Sequence, residues 1–242
     1  MRYWEIDFIR GIAVLMMIAY HFIFDLFFQS HIGFEWLAVP IASTFILVSG
    51  ISLNISYSKG GNFEKFAKRG IKLLAAGGLI TVASFLFLRE GYILFGIIHF
   101  FGVSSFLVYP FLKHSKKLAM VFLGISAILL GLVFLSTNVA FGYLLWLGLT
   151  PPAFFTFDFF PIFPWFGLLL VGAYVGNSLY PNGKRGSVTG SFATNEPDNY
   201  VSKTFQFLGR NSLVVYFVHQ PIIFLLLYFS GSYPILSLMA IG

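Results

Sequence analysis

The sequence predicts an all-α fold, a polytopic helical bundle embedded in a membrane. Three observations carry that expectation. Hydrophobic residues make up 58% of the 242 residues and aromatics 20%, whereas charged residues are only 10%; a soluble domain carries roughly 25%. Seven apolar stretches approach the roughly 20 residues that a helix needs to cross a bilayer. Lipid leaves helices or closed barrels as the only spanning structures, and the alternating ten-residue segments of a barrel are missing. Disorder is excluded by the aromatic content.

The elements follow in chain order. The first span, 8–28, is longer than a signal-peptide core, begins among Arg2, Glu5, Asp7 and Arg10, and has no small-residue cleavage site after it. It is therefore expected to be retained. A short loop with His31 and Glu35 leads to the second span, 35–57. The third and fourth are 71–89 and 92–112, and the fifth is 118–136. Residues 137–159 are aromatic and interrupted by Pro151 and Pro152; their apolar run, 139–149, is too short to span and reads as a short re-entrant or interfacial helix. The sixth span, 160–180, is entered through Pro161 and Pro164 and contains Gly172-x-x-x-Gly176, a spacing that permits close helix packing. Residues 181–203 are polar and rich in Gly, Ser and Asn, the composition of a flexible loop. The seventh span is 208–230. No internal repeat is visible, so the reading is one transmembrane domain over 1–242.

Charge orients the bundle. With seven spans, fourteen of the fifteen Lys and Arg residues fall on one side, and only Arg89 falls on the other. The positive-inside rule puts the N-terminus in the cytoplasm and the C-terminus outside an integral cell-membrane protein. The formal charge of +6 belongs to these short loops, so nucleic acid is rejected as a partner. The absence of cysteine removes disulfides, thiol nucleophiles and thiolate metal sites.

Ionisable groups at membrane depth are expensive, and each is a functional candidate by default. Asp7 and Arg10 share a face near the cytoplasmic end of the first span, either as a local ion pair or with Arg10 open to an anionic group. His21 and Asp25 share a face in its outer half, where a carboxylate can orient an imidazole for general-base work; a satisfied packing pair is the structural alternative. His99 lies in the fourth span between Gly96 and Gly102. Asp158 stands at the mouth of the sixth span, where helix N-capping is the structural alternative. Trp165 suits an interface or a stacked ligand. His219 lies near mid-bilayer, two residues before Pro221. His114 and the loop cations belong to the cytoplasmic surface. The histidines are scattered without HExxH-like spacing, so no metal is expected. Acids and histidines thus collect in the outer half and cations at the cytoplasmic face.

Five segments carry a resemblance: EIDFIRGIAVLMMIAYHFIFDL at 5–26, FILVSGISLNIS at 45–56, GIIHFFGVSSFL at 96–107, DFFPIFPWFGLLLVG at 158–172 and LGRNSLVVYFVHQPI at 208–222. Together they make the chain similar to the catalytic-domain family of heparan-alpha-glucosaminide N-acetyltransferase, in a short prokaryotic form. The resemblance implies a membrane-bound acyltransferase. Acetyl-CoA, or another acyl-CoA, is presented from the cytoplasm, and its acyl group reaches an amine or hydroxyl of a sugar-like acceptor on the outer side. The heparan substrate itself does not carry over, because characterised animal members are larger. The family's histidine, as base or acyl acceptor, follows the first span; His31 lies there and His21 just before it, and both stay candidates. Asp7 and Arg10 match the opening motif.

On this reading Arg10, Lys68, Arg69 and Arg210 would bind the CoA phosphates. His21, Asp25, His31, His99 and Asp158 would be the catalytic candidates, and Trp165 and His219 would contact substrate. The implied partners are the lipid bilayer, acyl-CoA and the acceptor; a homodimer is admissible. A small proton-coupled transporter competes, since buried His and Asp also build proton relays and broken helices suit carriers. A non-catalytic membrane assembly protein is the third reading.

Overall fold

The computed structural model describes residues 2–27, 35–88, 90–192 and 195–231. His31 and Arg89 lie outside these. Among the described residues there are nine α-helices and no strand: α1 Trp4–Phe27, α2 Ala38–Ser58, α3 Phe63–Phe87, α4 Ile97–His114, α5 Lys117–Leu135, α6 Ile162–Leu179, α7 Ser187–Phe192, α8 Tyr200–Arg210 and α9 Ser212–Phe229. Six of them, α1, α2, α3, α5, α6 and α9, are long and apolar enough to cross a membrane. The counterpart of the expected fourth span, α4, is 18 residues long, carries Lys113 and His114 in its last turn, and is not among these six. Leu118, Phe122, Leu129 and Val133 on α5 are all exposed, an apolar face that suits lipid. The chain is an integral membrane protein.

Several boundaries differ from the sequence expectation, each for a local reason. α3 starts at Phe63 rather than 71, because the side chain of Asn62 accepts the Lys65 N–H at 3.1 Å and caps the helix. Lys65, Lys68 and Arg69 therefore belong to a helix and not to a loop. Residues ahead of α4 run beside the approach to α6: Phe95 and Phe159 form a parallel bridge, and the Phe160 N–H donates to the Phe95 carbonyl at 3.0 Å. The expected re-entrant helix is a single 3-10 turn, Leu145–Leu147. The entry to α6 is irregular as the prolines suggest, with Phe163 extended. The stretch 181–203 contains a 3-10 turn, α7 and the start of α8. Asn211 separates α8 from α9 inside the expected seventh span.

The helices form two compact units, one from the described parts of 1–48 and 188–231, the other from those of 49–187. In the first, α1 packs against α8 and α9. The contact with α8 is made on glycine. A Cβ at Gly11 would lie 1.8 Å from the Phe205 carbonyl oxygen, and one at Gly209 would lie 1.8 Å from that of Asp7. Only residues without a side chain let the two backbones meet so closely. α8 turns Ser202, Gln206 and Gly209 inward and leaves Tyr200, Val201 and Phe207 exposed. Ile6, Val14, Met17, Ile223 and Leu227 make the apolar core of this unit.

In the second unit α3 pairs with α4, and α5 with α6. The α5–α6 crossing is again on glycine, Gly124 against Gly167. Gly176 meets the backbone of α2 at Ile51. Phe66, Phe100, Val108, Met120, Phe166, Leu169 and Leu170 are buried here.

Candidate functional site

Three polar clusters stand out, two in the first unit and one in the second. The first surrounds Asp7, which is 2% exposed. Arg2 reaches both carboxylate oxygens, Nε to Oδ2 at 3.1 Å and Nη2 to Oδ1 at 2.9 Å. Arg10, one turn along α1, donates to Oδ1 at 3.2 Å. Arg210, at the end of α8, donates from Nε to Oδ2 at 3.4 Å. The glycine contact between α1 and α8 brings Arg210 within reach. Its Nη2 donates to Gln206 Oε1 at 2.8 Å, and Gln206 Nε2 donates to Ser202 Oγ at 3.2 Å; Glu196 stands 4.0 Å away. These contacts leave Arg210 Nη1 without a protein acceptor among the described residues, and the side chain is 47% exposed. A guanidinium carries five N–H donors in a fork suited to phosphate oxygens. Two of the four cations expected to bind CoA, Arg10 and Arg210, are thus brought together.

The other two lie in the second unit and have different partners. Lys68 pairs with Glu64 one turn back on the exposed face of α3. Arg69 turns inward, donating to Ser105 Oγ at 2.9 Å and Ser49 Oγ at 3.3 Å.

The second cluster lies at the other end of α1, against α9. His21 and His219 face each other with ring centroids 5.0 Å apart. Asp25, 1% exposed, accepts a hydrogen bond from Gln220 Nε2 at 2.6 Å. No hydrogen bond joins Asp25 to His21. The expected pairing on one helix face is therefore replaced by two contacts across helices. His219 Nδ1 lies 2.7 Å from the Tyr216 carbonyl oxygen. That oxygen can only accept, so the proton sits on Nδ1 and Nε2 is a bare lone pair. His219 is 6% exposed, and neither its Nε2 nor Gln220 Oε1 has a hydrogen-bond partner among the described residues.

The third cluster closes the N-terminus of α4. Asp158 Oδ2 accepts the Ile97 N–H at 3.0 Å, and His99 Nδ1 accepts the Gly96 N–H at 3.3 Å. Since His99 Nδ1 accepts, its Nε2 carries the proton, which it donates to Thr81 Oγ1 at 3.3 Å. Gly77 gives the ring its place on α3, for a Cβ there would lie 2.9 Å from His99 Nε2. Asp158 thus caps α4, a different helix from the one it precedes, at the end where a negative charge is favourable. Trp165 packs on Phe160 at 5.0 Å. Among the described residues no three His, Asp or Glu side chains gather as a metal site would need.

Sequence reasoning misses Gln220, Gln206, Thr81, Ser49 and Ser105, because uncharged polar side chains carry no signal of cost at membrane depth comparable to that of an ionisable group. A neutral amide next to a mid-span histidine, as Gln220 is, was the available signal.

No curated protein and no solved structure matches the chain. The family model described as heparan-alpha-glucosaminide N-acetyltransferase, catalytic, matches residues 2–221. That match takes in all three clusters and both ends of α1, in a chain whose apolar helices place it in a membrane. The chain belongs to the heparan-alpha-glucosaminide N-acetyltransferase catalytic-domain family, as a membrane-embedded, acetyltransferase-like member.

Proposed function

We propose that the protein transfers an acetyl group from cytoplasmic acetyl-CoA, or a related acyl-CoA, to an amine or hydroxyl of a sugar-like acceptor on the outer side, with its N-terminus inside and C-terminus outside. The observation that carries this reading is the buried Nε2 of His219, which has no hydrogen-bond partner among the described residues and lies opposite His21. A deprotonated imidazole nitrogen whose tautomer is fixed by Tyr216 is what a general base requires. The arginine cluster at the other end of α1 supports the donor assignment. Fourteen residues separate Asp7 from His21, about 21 Å along the helix, so the two ends suit an elongated polyanion with its reactive group at the far end. Arg10 and Arg210 would hold phosphate oxygens; Lys68 and Arg69, already engaged by Glu64 and by Ser49 and Ser105, are the weaker choices.

In the direct route the acceptor nitrogen or oxygen attacks the thioester carbonyl carbon while histidine Nε2 takes its proton. The carbon–sulfur bond then breaks, and the CoA thiolate recovers that proton from the imidazolium. In the two-step route a histidine first carries the acetyl group and passes it on. His219, expected only to contact substrate, thereby joins His21 and His31 as a candidate base. Asp25 acts on Gln220, and Trp165 lines the approach to α6. His99 and Asp158 use polar atoms on the first turn of α4, which favours a structural role for both.

The test is purified protein with radiolabelled acetyl-CoA and a panel of amino sugars and polyols. CoA release that depends on an acceptor is expected, and His219→Ala should lower kcat by about 10²–10⁴-fold. His21→Ala and His31→Ala distinguish the remaining histidines, and label retained on the protein identifies the two-step route. No CoA release with any acceptor, together with no labelled protein, overturns the reading.

A further inference from the structure

We infer that Gln220 is a binding residue for the acceptor and that Asp25 is a positioning residue acting through it, so that the site selects acceptors with a second polar hydrogen. The inference rests on the acetyl-transfer reading and concerns the same helix pair.

A primary amide offers two N–H donors and one carbonyl acceptor. Gln220 Nε2 donates to Asp25 Oδ2 at 2.6 Å. While Asp25 is ionised, turning the amide over would set Oε1 against a carboxylate oxygen, lone pair to lone pair. Asp25 therefore fixes which end of the amide points away from it, and that end is the acceptor. Gln220 Oε1 is buried and has no donor among the described residues. The same holds for His219 Nε2, the next residue back on α9. Buried acceptors are normally satisfied, and an orphan calls for an explanation. Here two consecutive residues each present one, both on the stretch of α9 that meets His21 and Asp25 of α1.

Two acceptors without a donor complement a group that brings two polar hydrogens. In a primary amine one hydrogen goes to His219 as the nitrogen attacks, and the other is held by Gln220 Oε1. An N-methylated amine has one hydrogen and leaves Gln220 unsatisfied, a loss of about tenfold or more in kcat/KM. A hydroxyl acceptor meets the requirement only when a neighbouring hydroxyl supplies the second hydrogen.

The experiment compares a free amino sugar with its N-methyl derivative as acceptors of the full-length protein, in wild type, Gln220→Met and Asp25→Asn. Wild type should prefer the primary amine by about tenfold or more. Gln220→Met keeps the shape but lacks the acceptor; it should raise the KM of the primary amine and bring the preference close to one. Asp25→Asn can donate to Gln220 Oε1 and release the amide, so the preference should fall without the collapse of kcat expected for His219→Ala. The KM for acetyl-CoA is the internal control. A preference unchanged in Gln220→Met overturns the inference. So does a rise of both KM values together with a lower melting midpoint, the mark of a merely structural role. If wild type transfers nothing, the acetyl-transfer reading fails instead. Binding of the same two amino sugars, followed by thermal shift without acetyl-CoA, then decides this inference alone: the inference stands if primary-amine binding is lost in Gln220→Met and falls if it is kept.

Discussion

Replacing Gly11 by Ala adds one methyl group where α1 meets α8, and the size of its effect can be worked out from the geometry. The new Cβ would lie 1.8 Å from the Phe205 oxygen, 2.6 Å from its carbonyl carbon and 2.9 Å from its Cα. All three are backbone atoms, so no rotamer change relieves them. Ordinary contact begins near 3.4 Å, so the helices must part by about 1.6 Å. The reciprocal contact of Gly209 on Asp7 restricts sliding as a way out. Parting also carries Arg210 Nε, already 3.4 Å from Asp7, out of reach. Against this, Ala is favoured over Gly inside a helix by about 1 kcal/mol. Overpacking costs about 1–3 kcal/mol and belongs at the upper end when backbone meets backbone. The net destabilisation is then about 2 kcal/mol, a fall of roughly 4–8 °C in melting midpoint. Gly78 of α3 is the control, because a Cβ there meets nothing within 4 Å. Gly78→Ala should gain about 0.5–1 kcal/mol. Both are read by loss of helical circular dichroism on heating in detergent. A Gly11→Ala variant as stable as wild type, or a Gly78→Ala variant that falls as far, would refute the reasoning.

Asp158→Ala removes the acceptor of the Ile97 N–H and should cost about 1–2 kcal/mol, seen as a lower midpoint with no change in the acetyl-CoA KM; an unmoved midpoint contradicts the capping role. Arg210→Ala should raise that KM about fivefold, a charge-assisted hydrogen bond reduced by solvent exposure, and the wild-type KM should climb with ionic strength; equal KM values at low salt would remove Arg210 from the donor site. Asp198 and Lys203 form an exposed ion pair. The hydrogen bond to Lys203, then its charge, holds the Asp198 carboxyl below its ordinary range, and the reverse contact holds Lys203 above its own. The contribution is present between the two unfolded values. It is lost as pH falls through the lowered carboxyl value or rises through the raised amine value. Water and salt screen so exposed a pair, so Asp198→Asn should leave the midpoint at neutral pH unmoved in about 0.15 M salt; a clear drop would show the pair to be structural.

The parts of the fold that depend on local composition could be read from the sequence. α5 was expected at 118–136 and runs Lys117–Leu135; α6 was expected at 160–180 and runs Ile162–Leu179. Boundaries failed where a single polar contact decides them, as at Asn62 before α3 and Asn211 after α8. The same division holds for the site. His21 and Asp25 are recognisable because a period of 3.6 puts them on one face. Their true partners, His219 and Gln220, depend on α9 packing beside α1, which no local spacing encodes. Gln220 was further hidden by its lack of charge, since burial of an amide leaves no mark in a list of ionisable groups. Asp158 was foreseen as a cap but for the wrong helix, because the chain returns to α4 through a loop pairing that apolar periodicity cannot announce.

The glycine-on-glycine contact at Gly11 and Gly209 has a further consequence for the arginines beside it. The spacing between Asp7 and Arg210 is set by two backbones in contact, and flexible side chains have little freedom to alter it. A phosphate arriving there finds two of its guanidinium partners, Arg10 and Arg210, already held on a common carboxylate. Little ordering is left to be done at the moment of binding, which is the part of affinity that preorganisation governs. Donor capture at this end of α1 should therefore be governed by enthalpy, with only a small entropic penalty, and loosening the glycine contact should weaken it without removing a single charge.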